Sequence, residues 1–311
     1  MLGYTQPQSS RGDLMTQHVI VGYDGSDHAG VAVDWAATEA VSRGGRLTLL
    51  AATTVPTSAI GGRFGATVSP SAIDDLLQRF TSQVEARAEE IRVTHPGLTV
   101  DARVVLGSPA FALVEESEDA DLVVVGSRGL GGFRGLLLGS VGTQVATHAT
   151  CPAVVIRQAP SPASNVVTVG VDGSEISLSA LDFAFDMADR RGWGVRAVHA
   201  WQLPTFNVMA APMSPPPIDV DVVETDERLA FAQSLAGLRE LHPGVAVEEH
   251  ILQGSPVRAL LEASAGSALI VLGSRGRGEF VGAVLGSVSQ GVLHRATIPV
   301  AVIGPSPQAG E

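Results

Sequence analysis

The chain writes one pattern twice. VGYDGS at Val21–Ser26 returns as VGVDGS at Val169–Ser174, and GSP at Gly107–Pro109 returns at Gly254–Pro256. HPG at His95–Gly97 comes back at His242–Gly244, and CPAVVI (Cys151–Ile156) as IPVAVI (Ile298–Ile303). VGSRGLGGFRGLLLGSVG, Val125–Gly142, is matched by LGSRGRGEFVGAVLGSVS, Leu272–Ser289. The order is kept and the offset is nearly constant: 148 residues from Asp24 to Asp172, 147 from Gly126 to Gly273. Two copies of one domain fit a chain of 311 residues, each copy long enough to bury its own core. The copies are read as 17–157 and 166–304, with a Pro/Ser-rich linker at 158–165 and flexible tails at 1–16 and 305–311.

Within each copy the apolar pattern alternates between strand and helix. In the first, HVIVGYD predicts a short buried strand and Asp27 to Arg43 a helix; RLTLLAA is the second strand. A charged helix is expected from about Ser71 to Thr94, then the alternating LTVDARVVLG as third strand and a helix opened by Ser108. DLVVVG is a fourth, wholly apolar strand, Ser140 caps a helix to about Ala149, and PAVVIR is the fifth strand. Alternating strands and helices with continuous apolar strands predict an α/β fold: two tandem doubly wound five-stranded parallel sheets, Rossmann-like, with helices on both faces. Two stretches break the pattern, 53–70 and 202–222, and are read as loops over a site or as partner surfaces.

Composition narrows the chemistry. All 20 basic residues are arginine, so P-loop and Schiff-base lysine chemistry is excluded. A formal net charge of −12 speaks against nucleic acid as a partner. The single cysteine, Cys151, allows no intrachain disulfide and reads as a structural thiol. The first residues resemble no secretory signal, and the longest uncharged stretch, 135–156, carries Ser140, Thr143, Gln144, His148 and Pro152, which speaks against a membrane span. A soluble cytoplasmic protein is expected.

In a doubly wound sheet a ligand sits at the carboxyl ends of the strands, where the strand order reverses. Asp24 and Gly126 end the first and fourth strands, and Asp172 and Gly273 do so in the second copy. Gly126 and Gly129 read as a turn where backbone approaches a ligand with no side chain in the way. Gly139-Ser140-Val141 opens a helix whose first N–H groups favour an anion. Gly273, Gly276, Gly286, Ser287 and Val288 repeat the arrangement. Each motif alone has an ordinary structural reading; together, after an apolar strand and present twice, they point to phosphate binding. Asp24 has two open readings, a cap for the following helix or a group holding base, ribose or metal-bridged phosphate. Arg128 and Arg275 match each other in the loops, either as phosphate contacts, as solvated residues or as contacts between copies.

The VGYDGS and VGVDGS strand ends, the GSP turns and the two Gly-x-x-Gly-x9-Gly-Ser segments resemble the universal stress protein family, over nearly the whole chain after the first residues. The resemblance implies the ATP-binding branch and a five-stranded sheet of order 3-2-1-4-5. It implies that Asp24 and Asp172 lie beside the adenosine and that the two glycine segments hold ribose and phosphates. It also implies that Ala52 and Ala200 approach the adenine, and that copies pair through their last strands, with a further homodimer expected. The nine-residue segments differ, LGGFRGLLL against RGEFVGAVL, so unequal affinities are expected. The preferred reading is an ATP-binding regulatory protein of stress adaptation, with Mg²⁺ beside the phosphates. The alternatives are a slow Mg²⁺-dependent ATPase or nucleotide-transferring enzyme, and a scaffold for protein partners with structural nucleotide. No catalytic residue is assigned, and metal ligands are left open.

Overall fold

The computed structural model describes residues 17–54, 70–130, 138–203, 219–276 and 285–305. The expected tail 1–16, all but the first residue of the tail 305–311, and most of the two loops and of the two differing nine-residue segments lie outside the described residues.

The first half runs β1 (His18–Gly22), α1 (Asp27–Ser42), β2 (Arg46–Thr53), α2 (Pro70–Thr94), β3 (Thr99–Leu106), α3 (Pro109–Glu116), β4 (Leu122–Gly126), α4 (Ser140–His148) and β5 (Ala153–Ile156). One 3-10 turn, Ser117–Asp119, follows α3. The second half repeats it: β6 (Val166–Gly170), α5 (Glu175–Arg191), β7 (Gly194–Trp201), α6 (Val220–Leu241), β8 (Val247–Gln253), α7 (Pro256–Ala263), β9 (Leu269–Gly273), α8 (Ser287–Arg295) and β10 (Val300–Ile303). Local signals explain the boundaries. After β1 the chain turns at Gly25, whose φ of 83° suits glycine. Ser26 then starts α1 by accepting the Ala29 N–H at 3.2 Å. Pro109 and Pro256 open α3 and α7, where a missing N–H costs nothing.

The period of two along each strand sorts side chains to opposite faces. Val19 and Val21 belong to one cluster with buried residues of α1, α2, α5 and α6, while Ile20 belongs to another with those of α3, α4, α7 and α8. Helices therefore cover both faces, and each half has the order 3-2-1-4-5 with all pairs parallel.

The two sheets are not separate. β5 and β10 pair antiparallel, Val300 with Val155 and Val302 with Ala153, to give one ten-stranded sheet. Both clusters of buried apolar residues draw on both halves, so the core runs across the join. A charged contact reinforces it. Glu39 of α1 is fully buried and meets Arg43 at 2.6 Å, Arg191 of α5 at 2.6 Å and Arg190 at 3.6 Å. Arg43 also lies over the Phe183 ring and Arg191 over Trp193, at 5.6 and 4.8 Å from the ring centres. Cys151 is buried just before β5, and burial pushes its thiol up to about 12. Among the described residues no helix is long and apolar enough to cross a membrane.

Candidate functional site

Each half holds a crevice at the carboxyl ends of its strands, where β1 and β4 diverge to opposite faces. The first is about 490 Å³, the second about 440 Å³. Every residue singled out in the sequence borders one of them. Asp24, Ala52, Gly126, Arg128, Gly129, Gly139, Ser140 and Val141 line the first; Asp172, Ala200, Gly273, Arg275, Gly276, Gly286, Ser287 and Val288 line the second.

The crevice has two chemically distinct sets of lining groups. In the first half Leu50, Leu113 and Val125 give an apolar wall, which sequence reasoning missed apart from the repeated GSP turn that positions Pro109 there. The other set comes from the loop after β4 and the start of α4. The Gly139 N–H donates to the Ser127 carbonyl at 2.8 Å, and Gly286 donates to Ser274 at 2.7 Å, so strand end and helix start are joined in both halves. Among the described lining residues the charged groups are Asp24 and Arg128 in the first crevice, Asp172 and Arg275 in the second.

The helix start departs from expectation in one respect. Gly139, not Ser140, is the N-cap of α4, and Gly286 takes the same place before α8; Ser140 and Ser287 are the first helical residues. Neither start has a side-chain cap, whereas Ser26, Ser174 and Asp219 cap α1, α5 and α6 with their own oxygens. α3 and α7 also start without a side-chain cap; the starts of α4 and α8 border the crevices, where free first-turn N–H groups suit an anion. Arg128 adds a buried Nε with no hydrogen-bond partner.

Of the two open readings of Asp24, the helix cap is overturned. Ser26 is the cap of α1, and Asp24 instead holds the loops together: Oδ1 accepts the Ser26 N–H at 3.0 Å and Oδ2 the Leu130 N–H at 2.9 Å. Asp172 Oδ1 accepts both the N–H and the hydroxyl of Ser174, at 3.0 and 2.6 Å. The glycines also have a reason within the protein. A Cβ on Gly126 would lie 2.9 Å from the His28 carbonyl carbon and oxygen, so the missing side chain lets α1 pack on the end of β4. A Cβ on Gly129 or Gly276 would overlap the Oδ2 of Asp24 or Asp172. These glycines let the carboxylate reach the loop.

The halves differ beside this shared frame. Ser177 and Ser289 border the second crevice where the first has Ala29 and Gly142, and the Ser289 hydroxyl donates to the Gly273 carbonyl at 2.6 Å. Among the described residues no cluster of three His, Cys, Asp or Glu side chains is placed to hold a metal ion.

A model of the Universal stress protein family matches residues 15–157 and again 164–304. The chain belongs to this family. A universal stress protein of Mycobacterium tuberculosis is 36% identical over 296 residues, covering 92% of this chain and 97% of its own length. The crystal structure of a universal stress protein from Archaeoglobus fulgidus covers 93% of this chain and 99% of its own, with a TM-score of 0.70 at 20% identity, a likeness of fold. A shorter universal stress protein, solved in complex with cAMP, matches 45% of this chain at 26% identity with a TM-score of 0.35.

Proposed function

We propose that this universal stress protein is an ATP-binding regulatory protein with one nucleotide site in each half. The observation that carries the reading is the crevice itself. Apolar side chains suited to a base share one strand-end cleft with a helix start that has no side-chain cap and with an arginine, and the chain builds it twice. The family's adenosine-side position falls on Ala52 and Ala200, which line the crevices, and the phosphate side on Gly139–Val141 and Gly286–Val288.

The donors fit ATP. Backbone N–H groups of α4 and α8, the Ser140 and Ser287 hydroxyls, and Arg128 and Arg275 are the groups that would hold its phosphates. Asp24 acts by keeping Leu130 and the β4 loop in place. Mg²⁺ would enter with the phosphates and draw its ligands mainly from them and from water, since Asp24 already accepts two backbone N–H groups.

The test is calorimetric titration of nucleotide-free full-length protein with ATP and Mg²⁺, together with a phosphate-release assay. Two equivalents bound without steady release support the reading. No binding refutes the sites, and steady phosphate release that Asp24→Ala with Asp172→Ala abolishes refutes the regulatory binder in favour of an enzyme.

A further inference from the structure

A histidine and a glutamate outside the repeated motifs meet behind the second crevice. His199 of β7 is buried, and its Nδ1 lies 2.8 Å from the Val171 carbonyl oxygen. Its Nε2 lies 2.9 Å from Oε2 of Glu227 on α6, and the ring stacks on Phe231 with centres 5.7 Å apart. Val171 lines the second crevice, as do Val198 and Ala200 on either side of His199. The pair therefore ties α6 to the ends of β6 and β7, behind residues that would face the base. The first half has no such pair. Gly22 pairs with Leu50 and Gly170 with Val198, so Ala51 holds the place of His199. The 147-residue offset that carries His95 to His242 puts Phe80 where Glu227 stands.

Counting donors fixes the proton content of the pair. A backbone carbonyl only accepts, so Nδ1 carries a hydrogen. Nε2 meets a carboxylate oxygen, and a hydrogen bond there needs a proton on the ring nitrogen or on the carboxyl group. Either way the bonded pair holds one proton more than a neutral imidazole and a carboxylate. Losing it turns the Nε2 lone pair toward the carboxylate and ends the bond. The neighbouring charges are engaged with one another among the described residues. Glu249 of β8 meets Arg239 of α6 at 2.6 Å, and Glu224 meets Arg228 within α6 at 2.7 Å. The buried residues of α5 are uncharged, and Asp172, next to Val171, accepts from Ser174.

We infer that His199 and Glu227 are positioning residues through which a bound proton strengthens nucleotide binding at the second crevice alone. The inference rests on the proposed nucleotide sites. With the proton in place, the strand ends carrying Val171 and Ala200 are fastened to α6. Without it the ring still meets Val171, but its bond to α6 is gone. The first crevice, built on Ala51, lacks the device, so acid shifts occupancy toward the second.

The test titrates the full chain with ATP at fixed Mg²⁺ from about pH 5 to about pH 8, the interval over which an imidazole ordinarily changes charge. Hydrogen exchange in the first turns of α4 and α8, compared with and without ATP at each pH, reads each crevice separately. Titration of ATP itself acts on both crevices, so the ratio of the two affinities is the quantity followed. In the unsubstituted protein the second-to-first ratio should fall about tenfold as pH rises, the scale of one charge-assisted hydrogen bond. In Glu227→Gln, whose amide donates to a neutral Nε2 at every pH, the ratio should stay level. Nitrogen NMR of histidine-labelled protein reads the ring directly: the signal lost in His199→Gln should shift in step with the ratio. A ratio that is constant or rises with pH, a ratio that falls equally in Glu227→Gln, or a His199 signal that does not move would overturn the inference while leaving the nucleotide sites standing. Absence of ATP binding at both crevices throughout would overturn both.

Discussion

Glu39→Gln probes the join between the halves more sharply than any apolar change. The Glu39 side chain is 0% exposed and the guanidinium groups it meets, Arg43 and Arg191, belong to side chains only 7% and 14% exposed. Neutralising the carboxylate leaves these cations facing one another with little water to screen them, and the third cation, Arg190, lies 3.6 Å from the same carboxylate. Breaking a buried pair by removing one partner costs about 3–5 kcal/mol, because the remaining charge is uncompensated. An exposed helical pair such as Glu224–Arg228 gives about 0–1 kcal/mol. Urea unfolding followed by fluorescence of the buried Trp35 and Trp201 distinguishes these ranges. With a slope of about 3 kcal/mol per M, the midpoint should fall by about 1–1.5 M. Glu224→Gln serves as the control, and a double-mutant cycle of Glu39→Gln with Arg191→Gln should return a coupling of about 1–3 kcal/mol. A loss below about 1 kcal/mol, or no coupling, would show that the cluster does not hold the halves together.

Three further outcomes follow from the site geometry. Gly126→Ala should destabilise the fold by about 1–3 kcal/mol, measured by denaturation, because its methyl group meets the α1 backbone at His28. Gly129→Ala should instead weaken ATP at the first crevice by about tenfold in calorimetry, with stability within about 1 kcal/mol, since its methyl group displaces the Asp24 carboxylate from the Leu130 N–H. Cys151, buried and with its thiol pushed up to about 12, should resist iodoacetamide in the native protein at pH 8 and react fully in urea, as mass analysis would record.

Much of the fold was legible because its signals are local. Apolar runs such as LVVVG and LIVLG read as buried strands from any window, and repetition showed that each half is a unit. The crevice residues were legible for a related reason: they sit at strand ends and helix starts, positions that topology brings together whatever the side chains. What the sequence hid depends on distant partners. Nothing beside Gly126 in the chain announces the His28 backbone, and nothing beside Gly129 announces the Asp24 carboxylate. Glu39 looks like a surface glutamate of an amphipathic helix until Arg191, 152 residues on, closes over it. Arg157 reads as the end of the fifth strand PAVVIR, and nothing near it in the chain announces the Leu293 carbonyl of α8 that its guanidinium meets. The helix start moved by one residue, from Ser140 to Gly139, a shift that sequence patterns do not resolve.

The antiparallel union of β5 with β10 has a consequence for dilution. A pair of separate one-domain subunits joined along such strands would dissociate as the protein becomes scarce. Here the partners are tethered by the short stretch 158–165, so their association is unimolecular and its effective concentration is set by the tether. The two crevices, facing opposite edges of one sheet, keep their relation however few copies of the chain are present.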